Sequence, residues 1–106
     1  MAMSSVSIRS GANSINDHFT KVFSASGVWD AGSVADGDEA VDTIALTGVA
    51  LGDIVMGVSC SVDVVDLVIT AAVTAADEVT VSLANNTGGP LDLASATFKV
   101  LVGRLA

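Results

Sequence analysis

Tyrosine is absent from this 106-residue chain, and histidine, cysteine, proline and tryptophan occur once each. Each scarcity closes a class of chemistry. A cupin-type metal centre needs several His with a carboxylate, and His18 stands alone. Ser-His-Asp catalysis needs its serine in a strained nucleophile turn or an equivalent scaffold, and no G-x-S-x-G occurs. Cys60 has no partner for an intrachain disulfide. Sugar clefts are usually floored by aromatic platforms, and Trp29 with Phe19, Phe23 and Phe98 is the whole aromatic set. Basic residues are scarce too: four Lys and Arg face twelve Asp and Glu, for a net charge of −8. Nucleic-acid binding requires a basic footprint that neutralises phosphates, so that class is excluded. The longest near-apolar run, Leu67–Ala76, is about half of a membrane span. Met1–Ser14 lacks the continuous apolar run of a signal peptide. The expectation is a soluble product of a reducing cytoplasm, with no cofactor and no enzymatic activity.

What the chain does hold is β-branched. It has 17 Val, 8 Thr and 5 Ile, against only four Lys and Glu together. β-branched side chains suit a pleated, half-buried surface and lose freedom in helices. One all-β domain follows, since chains of this length do not split. Much of the remaining apolar content is 16 Ala. A core so poor in rings, on a chain of mean hydropathy +0.68, predicts that some apolar surface meets another subunit.

The stretch Asp63–Val102 organises the fold. Three runs alternate with period two: Leu67, Ile69, Ala71, Val73; then Val79, Val81, Leu83; then Phe98, Val100, Val102. Such alternation puts one row of side chains in a core and the other outward. A tight turn at Ala75–Glu78 and a longer polar loop, Asn85–Pro90, separate the runs.

Upstream, Met1–Asp17 is polar and shows no clean period around Val6, Ile8 and Ile15. It reads as an extended arm, either a disordered terminus or a segment that orders on a neighbour. A first strand spans His18–Trp29, with Phe19, Lys21 and Phe23 on one face and a break near Gly27. Asp30–Glu39 is turn-rich. Glu39–Leu46 carries apolar groups on both faces, as a strand covered on both sides would. Asp53–Ser61 is a third strand with the inward row Ile54, Met56, Val58, Cys60, and Gly57 suits a bulge. The cysteine is thus expected to be a buried small hydrophobe. Six strands at this spacing predict an antiparallel β-sandwich over residues 18–106, jelly-roll-like or a simpler Greek key, behind the arm at residues 1–17.

No constellation carries catalysis. Asp36, Asp38, Glu39 and Asp42 form the densest acidic cluster, but the long loop and closing Glu of an EF-hand are missing. It reads as a solvated turn. Asn86-Thr87-Gly88-Gly89-Pro90 lacks the Gly-Lys-Ser/Thr ending of a phosphate loop and precedes no helix.

The string LVITAAVTAADEVTVSLANNTGGPLDLASATFKVLV, Leu67–Val102, resembles small structural proteins of tailed phages. The connectors Val34-Ala35-Asp36-Gly37 and Gly48-Val49-Ala50-Leu51-Gly52-Asp53 are also similar to that family's. The likeness covers about residues 28–104 and excludes the arm, and Pro90 stands where the family carries a Thr-like residue. It implies a capsid decoration (cement) or head-fibre protein with a sandwich or jelly-roll body that trimerises. Such a protein sits on the outer surface of the virion, at threefold or quasi-threefold positions, and clamps the major capsid protein. The family has no catalytic residues. Leu101 and Leu105, on the outward row of the last strand, become candidates for a subunit or capsid interface, or cover a second core layer. Ile8 and Ile15 are the arm's candidates for the same role. A tail or fibre-tip module that binds a host receptor is the alternative.

Overall fold

The computed structural model describes residues 18–105. It is all-β, with eight strands: β1 (Phe19–Trp29), β2 (Gly32–Val34), β3 (Glu39–Ala45), β4 (Ile54–Cys60), β5 (Val68–Ala75), β6 (Glu78–Ala84), β7 (Leu91–Leu93) and β8 (Ala96–Leu105). Two three-stranded antiparallel sheets, β1-β8-β4 and β3-β6-β5, are joined by the two-stranded ribbon β2-β7. Ile8 and Ile15, and with them the expected arm, lie outside the described residues.

The pairing has a simple plan. β1 runs against β8, β2 against β7 and β3 against β6, so the two halves of the chain form one long ribbon folded over on itself. Jelly rolls share this nested order. Here β4 pairs with β8, and β5 with β6, rather than with each other. The result is two three-stranded layers.

The core lies between the layers. Val79, Val81 and Leu83 of β6 and Phe98, Val100 and Val102 of β8 are all at most 3% exposed. These are the rows expected from the alternation, and each full burial contributes about 1.5–3 kcal/mol. Leu67, Val73 and Ile44 join the same cluster from the second layer. Gly27 does not break β1. It pairs with Phe98, and a Cβ there would come within 3.6 Å of Ile44 in the facing sheet. Trp29 rests on Phe98, with ring centroids 5.3 Å apart and planes tilted by 50°.

Bulges change which residues point inward. In β1 the register shifts between Phe19 and Lys21. Phe23 therefore packs on the core, while the Phe19 ring lies over Gly103 on the opposite face. The two rings do not share a face as alternation alone predicts. In β4 a shift between Val55 and Gly57 turns Ile54 outward and Val55 inward, so the expected row Ile54–Met56–Val58–Cys60 is broken at Met56. An extra residue in one strand reverses the phase of everything beyond it. Cys60 is half-buried against the core rather than fully enclosed. Nor is β3 covered on both sides: Val41 on its outer row is 51% exposed.

Two contacts fix the ends of the sandwich. Asn85, fully buried, sits where the ribbon passes from one layer to the other. Its backbone continues the ladder, accepting from Gly37 N–H at 2.7 Å and donating to the Asp38 carbonyl at 3.0 Å. At the opposite end Arg104 grips Asp53 with two hydrogen bonds, of 2.9 and 2.8 Å, and donates to the Gly48 carbonyl at 2.9 Å. The guanidinium also lies 5.7 Å from the centre of the Phe23 ring. That clamp ties β8 to the connection between β3 and β4.

Candidate interaction face

The strands β1, β8 and β4 contain no acidic residue at all, although residues 18–105 hold eleven Asp and Glu. All eleven sit on the other layer, on the loops and turns, or on the β2-β7 ribbon. The outward rows of this sheet follow from its register. Val22 faces Gly103, Ser24 faces Leu101, Ser26 faces Lys99 and Val28 faces Thr97. On the far side of β8, Ile54 opposes Gly103, Gly57 opposes Leu101 and Ser59 opposes Lys99.

One end of the face is apolar. Phe19 and Met56 close over Gly103, with Val22, Ile54, Leu101 and Leu105 around them, the last 58% exposed. The middle is built of Ser24, Ser26, Ser59 and Gly57, small enough to leave a shallow groove along β8 between Leu101 and Lys99, and Val28, 75% exposed, stands beyond it. Lys99 is the one cation on these outward rows. Leu101 and Leu105, expected at an interface, are brought together on this single face, and no second layer covers them among the described residues. The β-bulges add Phe19, Ile54 and Met56, which alternation had assigned differently.

Elsewhere the carboxylates hold backbone. Asp36 accepts from Gly88 N–H at 3.0 Å, Asp38 from Glu39 N–H at 2.8 Å and Asp42 from Thr43 N–H at 2.8 Å. Asp77, itself left-handed (φ 63°), accepts from Gly48 N–H at 2.7 Å. Asp36 and Asp38 thus bond backbone at the turn before β3, and Asp42 bonds the next N–H within β3. No group of three His, Cys, Asp or Glu is arranged to hold a metal among the described residues. Arg104, hydrogen-bonded to Asp53, holds that carboxyl below its ordinary value of 3.8, helped by the Ala50 N–H. This charge is a structural clamp within the chain.

The outer face of β3-β6-β5 differs. Its rows are mostly short (Thr43, Thr80, Ser82, Thr70, Ala72), with Thr74 and Thr80 hydroxyls 2.6 Å apart. Val41 and Val68 stand out on it, 51% and 50% exposed, and no cation lies on its rows. Among the described residues, exposed apolar bulk and positive charge coincide only on the β1-β8-β4 face.

Compared with protein-family models, with curated proteins and with solved structures, the chain matches none.

Proposed function

We propose that this chain is a non-enzymatic virion protein, a capsid decoration protein that binds the outer surface of a phage head as a homotrimer and stabilises contacts between capsomers. The observation that carries the reading is the acid-free, apolar face of β1-β8-β4 on a chain of net charge −8. Acidic surface elsewhere keeps the protein soluble, and one face remains on which burial against a protein is favourable. Exposed apolar patches of this kind mark interaction surfaces.

Two further points support a protein partner. The single Trp packs on Phe98 rather than standing out as a platform for a glycan. The acidic surface repels nucleic acid. The likeness of Leu67–Val102 to phage head proteins supplies the identity of the partner, the major capsid protein.

The test is the copy number of the chain in purified virions relative to the major capsid protein. A ratio on the order of the capsid's own fits symmetry-matched decoration. A handful of copies would move the chain to the tail or a unique vertex and favour receptor binding. Absence from virions would overturn the proposal.

A further inference from the structure

Two features stand out from the contacts made within one copy of the chain. The first is the turn Val64–Leu67, which carries the chain from β4 to β5. Val65 (φ 53°) and Asp66 (φ 69°) are both left-handed, and Leu67 N–H donates to the Val64 carbonyl at 3.1 Å, as in a type I′ turn. Such turns strongly favour Asn-Gly, and a β-branched residue is the least suited to that backbone. Among the described residues Gly takes five other left-handed positions and Asp77 one more, so Val65 is the one β-branched residue there. Val65 is nevertheless 49% exposed and belongs to no part of the core. A strained, solvent-facing valine points to a contact outside the subunit.

The second feature is the groove on the acid-free face, floored by Ser24, Gly57 and Ser59 and bounded by Leu101 and Lys99. Lys99 forms no ion pair among the described residues. We propose that Val65, flanked by Asp63 and Asp66, docks into the Lys99–Leu101 groove of a second copy of this chain.

The chemistry of the two patches matches term by term. The Val65 tip meets Leu101 over a floor of small residues. The carboxylates on either side of it meet the one cation of the face. Asp63 spends one oxygen on Val65 N–H, at 2.9 Å, and keeps the other for a partner. Within one copy neither Asp63 nor Asp66 forms an ion pair with Lys99 among the described residues. Ser61 still pairs with Thr97, and Leu67 is already buried between the layers, so the segment crosses to the opposite sheet. A second copy is therefore the occupant that supplies both halves of the charge match.

A contact between two unlike patches is heterologous and closes into a ring when the rotation allows. The inference rests on the trimer proposed above and supplies its subunit contact.

Sedimentation equilibrium of the full chain across a concentration series tests it without virions. The expected species is a trimer. Val65→Asn, which suits the left-handed backbone and leaves the fold intact, raises the dissociation constant by about tenfold or more. Lys99→Glu does the same, as does Asp66→Lys, and combining the two charge changes restores association. Wild-type association by Val65→Asn or Lys99→Glu overturns the proposal, as does failure of the charge swap. A chain that is monomeric at every concentration also overturns it, and a loss of virion occupancy by the same variants would then give the groove to the shell protein. A groove-dependent trimer absent from virions would keep this contact and remove the capsid reading. Decorated virions bearing a trimer indifferent to Val65 would do the reverse.

Discussion

The Asn85 side-chain amide donates to the Val34 carbonyl at 2.7 Å, joining residues 51 positions apart where the ribbon changes layers. The same amide donates to the Gly89 carbonyl at 2.8 Å, and its oxygen accepts from the Thr87 N–H and hydroxyl. The geometry answers a mismatch in length. Between Val34↔Leu91 and Glu39↔Ala84 one strand spends residues 35–38 and the other residues 85–90. The longer side must loop out, and its freed backbone groups need partners in a dry place. Asn, with two donors and an acceptor, supplies them.

Asn85→Ala strands those buried groups and is expected to cost about 2–3 kcal/mol. Asn85→Asp is expected to cost more, because a carboxylate cannot donate and would face two carbonyl oxygens. Urea unfolding of the three proteins measures both, and an unchanged midpoint would show that the amide holds nothing.

Acid should weaken the clamp at the other end. The Asp53 carboxyl is depressed in the folded state, by Arg104 first and Ala50 N–H second. The unfolded chain therefore binds the proton at higher pH than the folded one. The clamp's contribution is complete above the ordinary carboxylate range, near pH 4, and is lost as pH falls through the lower folded value. Thermal melts from pH 7 down to pH 2 should show Asp53→Asn losing less stability on acidification than the parent. Parallel curves would contradict this.

Relief of strain should be measurable at the turn. A left-handed L-residue costs roughly 1–2 kcal/mol, and Asn tolerates that region better than Val. Val65→Asn is expected to stabilise the isolated chain by about 1 kcal/mol, a rise in melting temperature of roughly 4–8 °C for a domain of this size. A fall would mean that Val65 packs within its own chain.

Gly103 keeps the apolar end of the face closed. A Cβ there would sit 2.6 Å from Phe19 Cε1 and 3.1 Å from Met56 Cε, so Gly103→Ala must push the ring aside. The expected loss is about 1–3 kcal/mol, and most of it should vanish in a Phe19→Ala background. Equal losses in both backgrounds, read by urea unfolding, would rule out the ring as the cause.

The sequence by itself determined the class of the fold and most of its core. Period-two rows such as Val79-Val81-Leu83 and Phe98-Val100-Val102 follow from the pleat of a single strand, which is a local property. The acid-free composition of β1, β4 and β8 was also legible once acids were counted strand by strand. That these strands lie side by side was not. Phe19 and Ile54 reached the outer face through bulges, and a bulge exists only between two paired strands. Gly32–Val34 and Leu91–Leu93 are three residues each, too short for any period, and they become strands only because the ribbon brings them together. Asn85 looked like an ordinary loop residue for the same reason. Its partners are set by where the two halves of the chain cross, and only the tertiary structure decides that crossing.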